Sequence, residues 1–352
     1  MFLSRPARFP LLKLPWLCIE SVIKNWNVVD LIFFALISKK TRQIVKSFRI
    51  PLSGIQIFVL DTTWISLCGS SKIWDFSKPS LDSSFYHNSR NTPLLLQNNP
   101  IRLYTRKMGY GLETYTNENE ITALKMAMEF LNEVFKCTIE TVTSDNFDNF
   151  PESGDIGVKS TVNLYINVNP TDNMCINQTS SQSFGYAQSQ KLSLLLENLE
   201  VTGTCDFCLE STDNDFYVDP KLFKCKKLVF SFNAAAWVTR ETLLQFEVPQ
   251  LKFEYCPFSV EDILSFVTHW FHSDNKTLEY LYIGFRWPVS LDEFQTSELK
   301  LVPFSERNRV PLSESFRGID FSKGLEIVRH DGLEATIHLT RGLFVFYIWH
   351  NQ

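Results

Sequence analysis

Two pairs of soft ligands invite a metal reading in this chain of 352 residues: Cys205-x-x-Cys208 and His269-x-x-His272. Thiolate and imidazole are the groups zinc prefers, and each pair could supply half of a tetrahedral site. Their separation argues against it. A two-cysteine, two-histidine finger leaves about 12 residues between its pairs, and here about 60 intervene. The expectation is no metal and no cofactor. Gly109-Tyr110-Gly111 lacks the third glycine or the Lys-Ser/Thr of a phosphate loop. His330-Asp331 has no nucleophile-elbow serine behind it and reads as turn chemistry. Asp213–Asp219 is acidic without the spacing of a calcium loop. With no constellation for catalysis, the chain is expected to act by binding.

Composition sets the class. The apolar fraction of 44% and charged fraction of 21% suit a soluble chain that buries a sizeable core. Through Ile50 there are nine lysines and arginines against Glu20 and Asp30, so the remainder of this chain of net charge −5 is clearly acidic. Those basic residues are spaced among apolar ones, which points to an acidic protein partner or a solvated face and away from nucleic acid. Cys18, Cys68, Cys137, Cys175, Cys205, Cys208, Cys225 and Cys256 mostly stand alone in apolar stretches. That pattern suits reduced thiols and a cytoplasmic and/or nuclear location. Leu11–Ile19 is broken by Lys13 and Pro15, and Val28–Ile37 is half the length of a spanning helix of about 20 residues. No membrane partner is expected.

The elements that must present a binding surface fall into an α+β arrangement. The first 50 residues predict three short helices. Pro15 opens the first, with Leu17, Val22, Ile23 and Trp26 as its apolar face; Asn27 caps the second and Ser38 the third. Gly54–Phe76 alternates as an antiparallel meander, and Ser77–Pro100 is a linker rich in Ser, Asn and Pro. Ile121, Leu124, Met128, Leu131 and Phe135 predict a helix over 118–135 capped by Asn117. Strands are predicted at 138–142, 163–168, 198–202, 228–232, 251–255 and 278–283, with helices at 239–246 and 259–272. Most of these strands are 23–33 residues apart. That period suggests a leucine-rich-repeat-like stack, although the asparagine signature is missing. Strands at 325–329, 333–339 and 343–349, with the Asp331-Gly332 turn, predict an antiparallel closing sheet that could be shared with the early meander.

The run FPLLKLPWLCIESVIKNWNVVDLIFFALISKKTRQIVKSF resembles an F-box. Leu14-Pro15, Val22-Ile23, Asp30-Leu31 and Ile37-Ser38-Lys39 match its pattern in order, while Leu17 replaces a common Glu and Thr41 a common Trp. Further along, Trp237-Val238-Thr239, Leu243-Leu244, Phe266 with His269-Trp270, and Leu278-Glu279-Tyr280-Leu281 resemble the type-2 F-box-associated domain of the expanded nematode families. The tail with Arg329, Asp331-Gly332, Ala335-Thr336-Ile337 and Phe346 to Trp349 fits the same families. The resemblance implies three parts: an F-box at 1–52, a β meander and linker at 53–100, and a substrate-binding domain at 101–352 with its type-2 core near 220–290. It implies a non-catalytic substrate receptor of an SCF-type ubiquitin ligase. Such a receptor binds the S-phase kinase-associated adaptor protein, through it a cullin, and a protein substrate. The alternative is a repeat-like binding scaffold without ligase activity.

Pro10, Leu11, Leu14, Pro15, Leu17 and Ile23 are the candidates for adaptor contact, because an F-box works by burying aliphatic side chains in its adaptor. For the substrate, alternation along 251–255 sets Lys252 and Glu254 against Leu251, Phe253 and Tyr255. Along 278–283 it sets Glu279 and Leu281 against Leu278, Tyr280 and Tyr282. A one-residue register shift exchanges the faces, so Lys252, Glu254 and Glu279 stand as candidates.

Overall fold

The computed structural model describes residues 11–60, 62–67, 72–77, 104–108, 111–115, 119–145, 147–167, 185–209, 212–256, 258–285, 289, 294, 299–304, 316, 319–340 and 342–350. The expected linker and Pro10 lie outside them. The chain forms two compact units. The first is Met1–Glu140 with Ile156–Val158; the second is Thr141–Asp155 with Lys159–Gln352. It is a mixed α/β protein, with seven α-helices and a mostly parallel set of strands among the described residues.

The first unit begins with a 3-10 turn, Leu11–Lys13, then α1 (Trp16–Lys24), α2 (Val28–Ile37) and α3 (Lys39–Ser47). Short polar residues set these boundaries. Asn27 Oδ1 accepts from the Asp30 amide at 2.8 Å. Ser38 and Thr41 form a reciprocal capping box, each hydroxyl taking the other's amide. Between the helices Ile19, Ile23, Leu31, Ile32, Ala35, Leu36 and Val45 are buried. Replacing the Ser38 cap by alanine is expected to cost about 1 kcal/mol, and by glycine only a few tenths. Urea midpoints of the two variants check this, and equal losses would show that the hydroxyl is not what holds α3.

A meander follows: β1 (Pro51–Val59), β2 (Thr63–Leu67) and β3 (Lys72–Ser77), antiparallel as expected. The hairpin β4 (Tyr104–Met108) and β5 (Gly111–Tyr115) joins it, with β5 parallel to β3. Helix α4 (Glu120–Val134) starts two residues later than expected, because its cap is Asn119, whose side chain accepts from the Ile121 amide. The stripe from Ile121 to Phe135 is buried as read. Phe130 meets Trp74 edge-on, and the Trp74 indole N–H donates to Thr114 at 2.7 Å. The head rests on the same helix. Arg42 lies over the Phe130 ring at 5.0 Å and reaches Glu133 at 3.6 Å.

The division between units falls inside β6 (Lys136–Ser144). In the second unit a short pair, β7 (Ser160–Thr161) and β9 (Glu200–Val201), stands apart. The main strands are β8 (Asn163–Asn167), β10 (Thr204–Leu209), β11 (Lys227–Phe232), β12 (Gln250–Cys256) and β13 (Tyr280–Phe285). With β6 they pair in parallel, each beside the next in chain order. Helices α5 (Tyr186–Asn198), α6 (Arg240–Leu243) and α7 (Val260–His272) lie between them in the chain. Leucine sets the register. Val142, Leu164, Cys205, Leu228, Leu251 and Leu281 stand side by side, all buried. One step along, Phe207, Phe230 and Phe253 stack at 5.7 and 5.2 Å, and Phe223, Phe246 and Phe258 close over them. The abundance of phenylalanine thus builds a spine of rings.

Two expectations are corrected here. The strand expected at 198–202 is the end of α5 and a two-residue strand; the full strand starts at Thr204. Gly203 makes the crossing, since a Cβ there would lie 2.7 Å from the Val162 carbonyl. The helix expected over 239–246 stops at Leu243, because Phe246 and Val248 turn into the core. The closing strands β15 (Leu325–Val328), β16 (Glu334–Thr340) and β17 (Leu343–Trp349), with β14 (Val302–Pro303), pair antiparallel as expected. β17 pairs antiparallel with β13, continuing the sheet of the second unit. Phe316 and Phe321 cover Tyr280, Val345, Tyr347 and Trp349 on one face of these strands. Among the described residues no helix is long and apolar enough to cross a membrane.

His338 on β16 is buried under that cover, beside Phe321 at 5.5 Å. Burial pushes its imidazole down from the usual value, with Asp320 opposing and Lys323 reinforcing the shift. The unfolded chain therefore takes up a proton first. Stability is full above about pH 6.5 and is lost as pH falls toward the folded-state value. His338→Phe is expected to flatten the decline of the thermal midpoint between pH 7 and 5. An unchanged slope would remove His338 as its source.

Candidate protein-binding surfaces

Helix α1 has two sides with different fates. Ile19 and Ile23 lie on its inward side, and Ile23 is fully buried. It holds the head together and leaves the set of adaptor candidates, since a side chain without exposed surface has none to offer a partner. Leu17 is 76% exposed, so it does not belong to the inward face expected for it. Pro15 is exposed, and Leu11 and Leu14 are half-buried. Three apolar residues missed from sequence share this exposure: Leu12, Trp16 at 48% and Ile37 at 54%. Trp16 tilts against Phe48 at 4.9 Å, which holds its ring in place while leaving half of it in solvent. A continuous apolar run such as Leu11-Leu12 and Trp16-Leu17 is the signal that could have found them, because one turn cannot bury every side.

In the second unit the structure settles the register. Leu251, Phe253, Leu281 and Ile283 point into the ring spine and are buried. Lys252 and Glu254 take the opposite face of β12 and pair at 2.5 Å. Leu281, set beside Glu279 in the sequence reading, is core. On β13 the residues that share the face of Lys252 are Tyr280 and Tyr282, and the Lys252 ammonium lies over the Tyr282 ring at 5.0 Å. Glu279 precedes β13 and accepts from Gln250 Nε2 at 2.6 Å, while Tyr280 donates to Gln250 Oε1 at 3.2 Å. It orders the neighbouring side chains.

Lys227 on β11 and Asp206 on β10 lie on the same face, one and two strands from Lys252. Partial burial, then the nearby Glu254, pushes the Asp206 carboxyl up, with Lys252 and Lys227 opposing. Burial and then Lys252 push the Lys227 ammonium down. Half-buried charges of both signs, held by flat β backbone beside tyrosine, suit recognition of another protein's polar side chains.

The residues weighed as ligands are placed differently. Cys205 and Cys208 alternate on β10, so Cys205 enters the core while Cys208 takes the opposite face. Cys205 instead hydrogen bonds with Cys225, and that contact, with burial, pushes its thiol up. His269 and His272 are exposed on α7. Asp331 is held by Arg329, and Asp219 caps a 3-10 turn through the Lys221 amide. Gly109 and Tyr110 lie outside the described residues.

Comparison with known proteins meets the chain at this surface. Residues 221–283 match a family model described as F-box associated. They carry β11, α6, β12, α7 and the start of β13, hence much of the ring spine with Lys227, Lys252 and Glu254. A stretch of 128 residues is 31% identical to an uncharacterised protein of Caenorhabditis elegans. It covers 33% of this chain and 29% of that protein, so the chain matches less than a third of its relative's length. No solved structure matches.

Proposed function

We propose that the chain is the substrate-recognition subunit of an SCF-type ubiquitin ligase. The match of residues 221–283 to the F-box-associated family carries this reading. The three-helix head supports it: its capped helices follow the F-box pattern and leave Leu12, Pro15, Trp16 and Leu17 exposed. The head docks the S-phase kinase-associated adaptor through these residues with Leu11 and Leu14, and the adaptor brings a cullin. The second unit is a leucine-rich-repeat-like stack that holds a target protein near a ubiquitin-loaded enzyme. Its effect is local concentration, with no covalent chemistry of its own. Such a receptor works in the cytoplasm and/or nucleus. Co-purification of the full chain with adaptor and cullin tests the reading, and a chain that brings down targets without either would be the scaffold instead.

Lys252 and Glu254 are the side chains best placed to read the target. The pair Lys252→Glu with Glu254→Lys keeps the internal ion pair while reversing the charge pattern. It is expected to change the recovered partners and leave the thermal midpoint within about 1 °C, as surface changes usually do. Leu251→Ala, a core change, is expected to lower the midpoint. An interactome unchanged by the swap would exclude this face.

A further inference from the structure

Cys205 and Cys225 stand at the two ends of the connection between β10 and β11, and the fold brings their sulfurs together. Lys227 is level with Thr204, and its amide donates to the Gly203 carbonyl at 2.9 Å. The segment entering β11 therefore runs along the start of β10. Phe223 of that segment meets Phe207 edge-on at 5.7 Å. Two residues further, Cys225 meets Cys205, which precedes Phe207 on the inward side of β10. Each thiol is 1% exposed, and they hydrogen bond to each other.

The backbone sets the direction of that bond. The amides of Cys205 and Cys225 both serve the Cys225 sulfur, which makes it the acceptor and the Cys205 thiol the donor. Donation by Cys205, opposed by burial and aided by the two amides, pushes the Cys225 thiol down. At Cys137, where burial is the cause, the thiol is pushed up to about 11. The pair thus shares one proton unequally, with Cys225 held toward thiolate.

Burial alone would leave both thiols inert. A cavity of about 320 Å³ opens beside the pair, lined by Cys205 with Lys159, Leu199, Val201, Leu222 and Lys224. All of these belong to the second unit. A polar space of that size admits water and molecules little larger than water.

We propose that Cys205 and Cys225 form an oxidisable dithiol, which hydrogen peroxide converts to a disulfide. The Cys205 sulfur lines the cavity and attacks the peroxide. An S–O bond forms, the O–O bond breaks, and the displaced hydroxide leaves with the thiol proton as water. Cys225 then attacks the sulfenic acid. The S–S bond forms, the S–O bond breaks, and a second water carries off the second thiol proton. The sulfurs lose two electrons and the peroxide gains them. The bond closes residues 206–224 into a loop and ties together the strands that carry Asp206 and Lys227. A reversible disulfide of this kind is the sort that reducing compartments allow. The site stands on the thiols and the cavity, whether or not the chain recruits targets.

Peptide mapping of the full chain tests it. Folded wild type is treated with hydrogen peroxide, raised until the exposed Cys18 is labelled by dimedone. Free thiols are then blocked with N-ethylmaleimide and the chain is digested without reduction. Cys205 and Cys225 should appear in one linked peptide pair from a monomer, with a loss of about 2 Da and of both blocked thiols. Dithiothreitol should restore them. Cys205→Ser should abolish the bond. Cys225→Ser should abolish it and leave a Cys205 sulfenic acid that dimedone traps. Cys208→Ser, on the opposite face of β10, should leave the bond intact. Cys18 labelled while Cys205 and Cys225 both remain thiols would overturn the proposal. So would a bond formed only in urea, a bond to another cysteine, or one that joins two copies of the chain. The wild-type map decides these outcomes even where a serine variant fails to fold.

Discussion

Arg329→Met is expected to destabilise the second unit by about 3–5 kcal/mol, the range seen when one member of a buried charged network is removed. The guanidinium has no exposed side-chain surface. Its Nε and Nη2 donate to the two Asp331 oxygens at 3.0 and 2.8 Å, and Nη1 donates to the Asn275 and Trp270 carbonyls at 2.7 and 3.4 Å. The plane lies 4.9 Å from the Trp270 ring. One side chain thus ties the turn between β15 and β16 to the end of α7 and the loop that follows it. Methionine fills similar volume but takes the donor from the Asn275 carbonyl, while the Trp270 carbonyl keeps the Ser273 amide and hydroxyl at 3.1 and 2.9 Å; a buried acceptor so stranded costs about 1–3 kcal/mol. Lysine keeps the charge without the planar fork, so Arg329→Lys should recover little. Unfolding followed by tryptophan fluorescence measures the loss. A shift below about 1 kcal/mol for methionine would show that water replaces the network. Arg329 also holds the Asp331 carboxyl well below the usual carboxylate range. Its contribution is therefore present at neutral pH and disappears only as strong acid protonates Asp331.

Phe253→Ala is expected to cost about 3–5 kcal/mol, as large-to-small changes of buried aromatics do. The ring is fully buried and stacks on Phe230 at 5.2 Å and 9°, with Phe246 and Phe258 edge-on at 6.3 and 5.1 Å. Four close-packed rings cannot all relax into the space one leaves. Phe253→Leu should cost roughly half as much. Urea unfolding of both variants checks this. Equal costs for alanine and leucine would mean that the spine collapses freely and does not fix the register.

The same residue, read from sequence, was one of two indistinguishable alternating sets. Period-two patterning identifies the partition of 251–255 but carries no label for inside, which only the position of α6 and α7 supplies. The head was more legible because its signals are local: Asn27 and Ser38 act within three residues of themselves. Ile23 and Leu17 were not separable, since an apolar residue that seals a core and one that awaits a partner look alike until the neighbouring helix is placed. Helix α5 escaped notice because its buried Leu192, Leu195 and Leu196 sit among Ser and Gln, weakening the periodic contrast. The exposure of Phe232 and Tyr255 was invisible for a different reason. Left-handed backbone is signalled by glycine or asparagine, and here aromatic residues adopt it, at φ 54° and 58°.

The central claim is that the head is an adaptor-binding module, and calorimetric titration of the full chain with purified S-phase kinase-associated adaptor tests it most directly. Burying a large aliphatic side chain contributes about 1.5–3 kcal/mol. A one-to-one complex should form with the wild type, and Leu17→Ala should weaken it roughly tenfold to a hundredfold. Because Leu17 is exposed, its removal should leave thermal stability unchanged, whereas Ile23→Ala should unfold the head. Absence of measurable heat with the folded wild type, or a Leu17→Ala variant that binds as tightly, would contradict the account.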